Sequence, residues 1–283
     1  MKNQWGVWGM GAMACVLGWL VLQACTKSDV NETGRQPFAL YLTDDPARYD
    51  ALNIDIRYVE VKVDTSNGHH DDDDDDADDD HRGRDEHGRW DTLEMTAGVY
   101  NVAALRNGVE TLLASGEVEG RVRKVRLTLG TENTVVVNGT TYPLNLLPGA
   151  KRYVYLKLED KHKSVENGRQ RVWLDFDISR SVIFRNGQYY LLPKIKPFCD
   201  AQFGSLEGKV LPGDADVQVT AFSDKDTATA YPEDDGRFKI RGLQPGTYKV
   251  VFDGVDPYID TTINNVAITR GRPVTLPTVT LKK

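Results

Sequence analysis

The sequence feature that most constrains the fold is a hairpin signal in residues 134–142, where two runs of strand-forming residues flank Asn138-Gly139. Asn-Gly accepts the positive φ angles that both central positions of a two-residue hairpin turn require. Residues 134–137 and 140–142 therefore predict two paired antiparallel strands, and the rest of the chain has to be compatible with a β-sheet at this point.

Alternation of apolar and polar residues recurs along most of the chain, in runs such as 38–42, 154–158 and 172–178. Many short strands with turn residues between them, and no long helical pattern, are typical of an antiparallel sandwich or barrel. The sequence thus predicts an all-β protein with two antiparallel β-sandwich domains.

One predicted strand changes phase. Apolar residues alternate from residue 52 to residue 58 and then continue at the opposite phase from 59 to 63. A slip of one residue turns every later side chain to the other face of a sheet. A β-bulge near Tyr58-Val59 would return both sets to the core, so we expect a bulge there.

Residues 109–116 do not show the alternation of apolar and polar residues that is typical of a strand. Val109, Leu112 and Leu113 are spaced as on one face of a helix, and Gly116 follows them. This spacing predicts one or two helical turns that end near the glycine.

The first 24 residues have the pattern of a secretory signal. Lys2 is the only charged residue before Cys25, and residues 6–22 are apolar or glycine. A positive start, a short apolar stretch and a small residue before the cleavage point are typical of such signals. An uncleaved transmembrane anchor and plain secretion are the alternatives, although the apolar stretch is short for a bilayer span.

Residues 22–25 (Leu-Gln-Ala-Cys) resemble the lipobox of bacterial lipoproteins, with Gln23 as a departure from the small or aliphatic residue usual there. The resemblance implies cleavage before Cys25, acylation of that cysteine with palmitate-like chains, and attachment to a membrane. Thr26 in the next position implies sorting to the outer membrane, facing the periplasm or the surface. Residues 25–36 then form a polar tether.

Composition limits what else the chain can be. Cys15 would leave with the leader and Cys25 would carry lipid, so Cys199 alone remains and no internal disulfide is expected. The formal net charge is −7, but eleven acidic residues lie between Asp71 and Glu86. Because the remaining chain is near neutral, we expect no nucleic-acid partner.

Residues 64–89 form the acidic stretch, and blocks of like charge are usually disordered. Carboxylate oxygens suit Ca²⁺ and Mg²⁺, and the flanking histidines could add affinity for transition metals. We expect weak, unspecific uptake of divalent cations, with a dedicated cation or mineral site as the alternative, and no other cofactor. The candidate ligands are Asp71, Asp72, Asp73, Asp74, Asp75, Asp76, Asp78, Asp79 and Asp80, flanked by His69, His70, His81 and His87.

Three spaced motifs in the first half resemble the DUF4382 family of bacterial envelope proteins. They are residues 41–46 (Tyr-Leu-Thr-Asp-Asp-Pro), 133–139 (Asn-Thr-Val-Val-Val-Asn-Gly) and 174–182 (Leu-Asp-Phe-Asp-Ile-Ser-Arg-Ser-Val). The resemblance implies one β domain over residues 37–199. The name of the family records no activity, so the resemblance implies no mechanism.

A second resemblance covers residues 203–283. The pattern Gly-x-Phe-x-Ile-x-Gly-Leu-x-Pro-Gly-x-Tyr at residues 236–248 is similar to that of carboxypeptidase-regulatory-like, or prealbumin-like, modules. It implies a small β-sandwich, of a kind grouped with carbohydrate-binding-like folds. Such modules have an accessory role in spacing, docking or binding.

Tyr153, Tyr155 and Trp173 occupy strand positions of the phase opposite to their aliphatic neighbours. An exposed row of rings could serve as a platform on which sugars stack. The alternative is that these rings pack across the sheet or are covered by the other domain.

Asp175 and Asp177 lie on the same face of one predicted strand, at a spacing compatible with the paired carboxylates of glycoside hydrolases. Arg169, Arg171 and Arg180 are close in sequence and offer ordinary ion-pair partners. We therefore favour structural hydrogen bonding over catalysis for the two aspartates.

Hydrolytic motifs such as G-x-S-x-G and H-E-x-x-H are missing, and every histidine lies in the acidic stretch except His162. The sequence therefore predicts a non-enzymatic, lipid-anchored envelope protein that binds carbohydrate. One alternative is a structural or assembly lipoprotein that docks an envelope protein through a sheet edge, and another is a carboxylate-based hydrolase. The expected partners are a membrane, through the lipid, and a glycan or an envelope protein.

Overall fold

The computed structural model describes residues 34–45, 49–64 and 89–283. Strands make up most of these residues, which confirms the all-β class. The helical elements are two 3₁₀ turns, Val102–Leu105 and Asp160–His162, and the single-turn helix α1, Ile178–Ser181. Within the described ranges, no helix has the length and apolar character needed to span a bilayer.

Within the described residues, fourteen strands precede residue 199 and eight follow it. The first group consists of β1 (Arg35–Asp45), β2 (Ala51–Asp64), β3 (Arg89–Thr92), β4 (Gly98–Asn101), β5 (Thr111–Glu119), β6 (Arg121–Leu129), β7 (Thr134–Val137), β8 (Thr140–Leu146), β9 (Tyr153–Lys157), β10 (Ser164–Glu166), β11 (Arg169–Asp177), β12 (Val182–Arg185), β13 (Gln188–Leu191) and β14 (Ile195–Phe198). The second group consists of β15 (Gly204–Leu211), β16 (Gln218–Phe222), β17 (Thr227–Ala230), β18 (Arg237–Leu243), β19 (Gly246–Asp253), β20 (Thr261–Ile268), β21 (Pro273–Thr275) and β22 (Val279–Thr280).

The first group forms two sheets that share one apolar core, and we call this part the N-terminal sandwich. One sheet has the order β10-β11-β1-β5, with β14 also paired to β11. The other has the order β12-β13-β8-β7-β2-β6-β9, with β3 and β4 paired to β2. The core between them includes Phe38, Leu42, Ile54, Val61, Leu127 and Phe176.

The second group forms a C-terminal sandwich with its own core. Its sheets have the orders β18-β15-β21, with β22 on β15, and β17-β16-β19-β20. Leu206, Phe238, Tyr248 and Phe252 are among the side chains buried between them. Each sandwich thus buries an apolar interior without using the other.

Most strand pairs are antiparallel, as expected from the hairpin signals, but four pairs are parallel. These are β1 with β11, β8 with β13, and β15 with both β21 and β22. In each parallel pair the two strands are far apart in sequence. Turn residues set the direction of neighbouring strands only, so local sequence carried no signal for these four pairs.

The hairpin predicted at Asn138-Gly139 is confirmed. Strands β7 and β8 pair antiparallel on either side of it, and the two turn residues have φ angles of 49° and 73°. Both values are positive, as a two-residue turn matched to the twist of the strands requires.

The bulge predicted in β2 is also confirmed. The register between β2 and β6 shifts between Ile56 and Tyr58, so that Arg57 is the extra residue. Ile56 and Val59 are both buried on either side of the shift. Tyr58, which we assigned to the core set, is instead 59% exposed, because the shift turns it to the outer face.

The helical turns predicted after Val109 are wrong. Residues 111–119 form strand β5, which pairs along β1. Leu112 is 49% exposed while Leu113 is buried, as expected for neighbours on a strand. Pairing with a distant strand therefore overrode the local helical spacing.

Candidate functional site

An aromatic surface covers the outer face of the larger sheet of the N-terminal sandwich. It is built on β3, β2, β6 and β9, which lie side by side in that order. Their buried residues, such as Val61, Val125 and Leu156, point into the core. The alternate positions therefore point to solvent, and they hold Trp90, Tyr153 and Tyr155 with Arg126 among them. We call these four residues the aromatic platform.

The ring of Trp90 on β3 meets that of Tyr155 on β9 in a T-shaped contact, and Tyr155 lies tilted against Tyr153 on the same strand. The ring centroids of Trp90 and Tyr155 are 6.2 Å apart, and those of Tyr155 and Tyr153 are 6.4 Å apart. Tyr153 is 46% exposed and Tyr155 is 37% exposed. The rings thus pack on one another at aromatic contact distance and leave a broad apolar surface open to solvent.

Arg126 holds the rings together from below. Its guanidinium carbon lies 4.5 Å from the ring centroid of Trp90, 5.6 Å from that of Tyr153 and 6.0 Å from that of Tyr155. Two of its nitrogens donate to the carboxylate of Glu60, at 2.7 and 2.6 Å. These hydrogen bonds raise the pKa of Arg126, so the guanidinium stays charged and fixed beneath the rings.

Tyr58 extends the platform along the sheet. In register, Tyr58 on β2 stands opposite Thr128 on β6, which stands opposite Tyr153 on β9. Thr128 is only 8% exposed although its neighbours on the same face are open. The two tyrosine rings on either side therefore shelter it, and the bulge at Arg57 is what brings Tyr58 to this face.

Three lysines lie beside the platform. Lys62 on β2, Lys124 on β6 and Lys157 on β9 stand directly opposite one another in register. The fourth position of this row is Trp90 on β3, opposite Lys62. We call Lys62, Lys124 and Lys157 the lysine row; it adjoins the rings through Trp90.

Tyr153 and Tyr155, two of the three residues expected to form a sugar platform, do lie together on an exposed face. Trp173 does not join them, and its assignment to the platform is wrong. Trp173 belongs to β11 of the other sheet and is only 4% exposed. The C-terminal sandwich covers it, which was the alternative considered for these rings.

The cover over Trp173 is an ordered junction between the two sandwiches. Its indole nitrogen donates to Glu110 at 2.6 Å, and its ring stacks on Phe198 at 6.1 Å. Arg241 of the C-terminal sandwich lies 5.5 Å from the centroids of both rings and donates to Glu110 and to Asp200. Trp173, Phe198, Cys199 and Phe203 form one buried cluster, which we call the junction cluster.

Asp175 and Asp177 are both buried, and Asp177 has contacts that stabilise the fold. Asp177 caps helix α1, accepting hydrogen bonds from the backbone N–H of Arg180 at 3.0 Å and from the hydroxyl of Ser179 at 2.8 Å. Its other oxygen pairs with the Arg180 guanidinium. These contacts support the structural interpretation of Asp177 over a catalytic one.

Asp175 faces the junction between the sandwiches. The pKa of Asp175 is raised to about 7, chiefly by burial; the charge of Lys196 opposes this shift, and the charges of Asp177 and Asp226 add to it. Lys196, opposite Asp175 in register, donates to Asp226 of the C-terminal sandwich at 3.3 Å. Asp175 is therefore part of the contact between the two sandwiches.

His162 and Cys199 also have structural partners. The Nδ1 atom of His162 accepts a hydrogen bond from the backbone N–H of Glu159 at 3.1 Å, and burial lowers the pKa of the imidazole. The thiol of Cys199 donates to the carbonyl oxygen of Lys161 at 3.2 Å, and burial raises its pKa. Neither group is arranged as a base or nucleophile by a neighbouring catalytic side chain.

The remaining predicted sites lie outside the described residues. These are the lipidation site Cys25, the aspartates from Asp71 to Asp80 and their flanking histidines. They stay predictions from the sequence. In residues 34–45, 49–64 and 89–283, no group of three or more His, Cys, Asp or Glu side chains could hold a metal ion.

Trp90 and Arg126 belong to the platform but were not identified from sequence. Trp90 lies in a strand of only four residues after the acidic stretch, so no alternation marks its face. In the sequence, nothing distinguishes Arg126 from any other arginine on the outward face of a strand. What joins them is the pairing of β3, β2, β6 and β9, which sequence spacing does not specify.

Comparison with protein families gives one match. The family described as "Domain of unknown function (DUF4382)" matches residues 36–193, more than half of the chain. No curated protein matches the chain. The resemblance of residues 203–283 to carboxypeptidase-regulatory-like modules has no counterpart among these matches and stays a prediction.

Several solved structures match the chain at low sequence identity. The type II cohesin–X-dockerin complex of Acetivibrio cellulolyticus is 22% identical over 28% of this chain and 56% of that chain, with a TM-score of 0.24. The minor pilin GBS52 of Streptococcus agalactiae is 15% identical over 87% of this chain and 96% of that one, with a TM-score of 0.22. A mutant of the shaft pilin SpaA of Lactobacillus rhamnosus GG is 10% identical over 87% and 98%, at 0.21. This chain thus spans little more than half of the cohesin–dockerin chain, and TM-scores this low carry no argument about function.

Proposed function

This chain belongs to the DUF4382 family, and we propose that it is a non-enzymatic binding protein that holds carbohydrate on its aromatic platform. The observation that carries the proposal is the contiguous cluster of Trp90, Tyr153 and Tyr155, in which both tyrosines are exposed. Aromatic rings of this kind offer flat apolar faces to the C–H faces of sugar rings, and polar atoms around them set orientation.

The rigidity of the platform supports binding over incidental exposure. Each ring stands on a paired strand, and Arg126 fixes the set from beneath through its hydrogen bonds to Glu60. A preformed surface loses little side-chain entropy when a ligand is bound. A flat, open sheet face also suits an extended polymer better than a small molecule, since small-molecule sites are concave.

The direct test removes two rings and measures glycan binding. A Tyr153→Ala/Tyr155→Ala variant should lose about 1–3 kcal/mol of binding free energy, measured by affinity electrophoresis against glycans selected on an array. Tyr142→Ala is the matched control, because Tyr142 has a similar exposure, 38%, and lies away from the platform. Unchanged retention by the double variant, with intact folding, would contradict the proposal.

We propose further that the protein is displayed from a membrane by lipid on Cys25, at the outer membrane, as its lipobox resemblance implies. The C-terminal sandwich would then be an accessory module of the carboxypeptidase-regulatory-like type. Cys25→Ala should move the protein from the membrane fraction to the soluble fraction of cells. A Cys25→Ala protein that fractionates with membranes as before would refute the lipid anchor.

A second candidate function is docking of an envelope protein at a sheet edge. Strand β12 lies at one end of the larger sheet, and Phe184 on it is 63% exposed. Its ring packs against Tyr189 at 4.7 Å, and Tyr189 packs against Tyr142 at 5.2 Å. An edge strand beside exposed rings can accept an added strand from a partner. Loss of a cross-linked partner in Phe184→Ala, with glycan binding unchanged, would favour this function.

A further inference from the structure

Three ionisable side chains come together where the two sandwiches touch. Lys196 on β14 and Asp175 on β11 stand directly opposite each other in register. Asp226, in the turn between β16 and β17, belongs to the C-terminal sandwich, and its Oδ1 atom accepts a hydrogen bond from the Nζ atom of Lys196 at 3.3 Å. An amine, a carboxylate and a second carboxyl group from distant parts of the chain are thus neighbours.

The two groups that could react with each other are held in place. The Nζ atom of Lys196 also donates to the carbonyl oxygen of Thr227, at 3.2 Å. The backbone of Asp226 is fixed by Ser223, whose N–H donates to the Asp226 carbonyl oxygen at 2.8 Å and whose hydroxyl accepts from the Asp226 N–H at 3.2 Å. Condensation of free amines and carboxylates in water is unfavourable, but groups held in contact react with effective concentrations of about 10⁵–10⁸ M.

The second oxygen of Asp226 is surrounded by donors. Its Oδ2 atom accepts a hydrogen bond from the backbone N–H of Gln244 at 3.1 Å. The hydroxyl of Tyr248 lies 3.0 Å from Oδ2 and 2.9 Å from the carbonyl oxygen of Gln244. Burial and the charge of Asp226 raise the pKa of Tyr248, so the hydroxyl keeps the proton that it donates. Donors at this oxygen stabilise the negative charge that develops on it when an amine attacks the carboxyl carbon.

Asp175 is suited to carry protons between the other two groups. The side chain is only 9% exposed, and its pKa is raised to about 7, chiefly by burial. Both its protonated and its ionised form are therefore present near neutral pH. A group whose pKa lies near the working pH gives and accepts protons efficiently. Among the neighbouring charges, that of Lys196 affects Asp175 most strongly.

We propose that Lys196 and Asp226 form an isopeptide bond that covalently joins the two sandwiches, with Asp175 as the proton carrier. Protonated Asp175 gives its proton to Oδ1 of Asp226 and takes one from the Lys196 ammonium. The neutral amine then attacks the carboxyl carbon, and the C–N bond forms as negative charge moves to Oδ2.

Collapse of this intermediate completes the reaction. Asp175 gives a proton to Oδ1 and takes one from the nitrogen, the C–Oδ1 bond breaks with its electron pair, and Oδ1 leaves as water. An ammonium and a carboxylate thus become one amide and one water, and Asp175 ends protonated as it began. The side chain of Lys196 is 39% exposed, which gives the water a way out.

The parent protein provides the direct test. The full chain, purified in detergent and kept overnight at neutral pH, is denatured and digested with trypsin. Cleavage releases residues 195–209, which contain Lys196, and residues 226–237, which contain Asp226. Mass spectrometry should detect these peptides, in most of the molecules, as one linked species that is lighter than their sum by one water. Recovery of the two peptides only in separate form would overturn the proposal.

A conservative variant identifies the nucleophile. Lys196→Arg keeps the positive charge beside Asp226, but a guanidinium does not lose its proton in proteins and cannot attack. No linked species should form in this variant. Lys194→Arg is the matched control, because it makes the same change two residues away at an exposed position, and it should link as the parent does. Attachment of residues 226–237 to another peptide in Lys196→Arg would overturn the assignment.

Two further variants test how the bond forms. Asp175→Asn should slow the growth of the linked fraction at least about a hundredfold, because an amide does not carry protons between the reacting groups. Tyr248→Phe should slow it by about a hundredfold, since it removes one donor to Oδ2. Urea unfolding confirms that each variant is folded before its linked fraction is followed over time. Linkage in folded Asp175→Asn as fast as in the parent would overturn the proton transfer through Asp175.

Discussion

Arg126 and Arg241 both lie over aromatic rings, and the surroundings of the two differ. Arg126, one of the four platform residues, lies over the ring of Trp90 on the outer face of the larger sheet, where Tyr153 is 46% exposed. Arg241 lies over Trp173 between the two sandwiches, and only 12% of its side chain is exposed. Similar chemistry thus produces an open surface in one place and a closed contact in the other. The difference comes from whether a second sandwich covers the face.

The carboxylate partners of the two arginines also differ. Among the described residues, Arg126 pairs with the carboxylate of Glu60 on its own sheet. Arg241 pairs with Glu110 of the N-terminal sandwich and with Asp200 beside the boundary, so its charge joins two parts of the chain. A buried arginine with two carboxylate partners fixes relative position, whereas a half-buried one beside solvent-exposed rings leaves a surface for other molecules.

The largest effect on stability is expected in the junction cluster, which the C-terminal sandwich covers. Trp173→Ala should lower the free energy of unfolding by about 3–5 kcal/mol, because it leaves a cavity in the junction cluster and removes a hydrogen-bond donor to Glu110. Trp90→Ala is the matched change on the open side and should cost about 1 kcal/mol or less. Urea denaturation measures both, and equal losses would break the distinction between the two clusters.

The next largest effect on stability is expected from a change of pH, through Asp175 at the contact between the two sandwiches. Asp175 keeps its proton in the folded protein up to about pH 7, whereas the ordinary pKa of the side chain is 3.8. The folded state therefore binds more protons across that window, and its stability falls as pH rises through it. From pH 5 to pH 8 the loss should be on the order of 2 kcal/mol.

Asp175→Asn isolates this contribution, because the amide does not titrate. Thermal or urea unfolding of the variant and the parent at pH 5, 6, 7 and 8 should show a flatter pH dependence for the variant, with the largest gain in stability at pH 8. Parallel pH profiles for the two proteins would show that Asp175 is ionised in the folded state.

The smallest effect is expected at the lysine row on the outer sheet face, and it is a gain in stability instead of a loss. Lys62→Gln/Lys157→Gln should raise the free energy of unfolding by a few tenths of a kcal/mol, since it relieves repulsion between neighbouring strands. Lys209→Gln/Lys282→Gln, which alters lysines of the C-terminal sandwich, is the matched control and should give no such gain. Unfolding measured at low and high salt checks the cause, because the gain should disappear when salt screens the charges. A loss of stability in the first variant would mean that the lysine row supports the fold.

The sequence predicted those features that depend on neighbours along the chain. The turn at Asn138-Gly139 needs only two residues with positive φ, and the bulge in β2 follows from a change of phase within one strand. The turn predicted after Val109 failed because pairing with β1, a distant strand, decided the conformation of that segment. Local spacing was a weaker influence than the sheet.

The dependence on distant segments also explains why the aromatic platform was predicted only in part. Tyr153, Tyr155 and Trp173 share a phase opposite to the aliphatic residues, so the sequence could not tell an open face from a covered one. Trp173 is covered because β11 faces the C-terminal sandwich, and Trp90 is included because β3 pairs with β2. Both facts depend on how distant segments come together, which alternation within a strand does not encode.

The position of β1 has a mechanical consequence. This strand begins at Arg35, at the N-terminal edge of the described sandwich, and lies between β5 and β11 in the middle of its sheet. A force applied to its N-terminal end acts along the strand, so the hydrogen bonds on both of its sides are loaded together in shear. They cannot open one after another as they would at a peeled edge. Under the proposed anchor at Cys25, the sandwich would be attached through a strand that resists extraction.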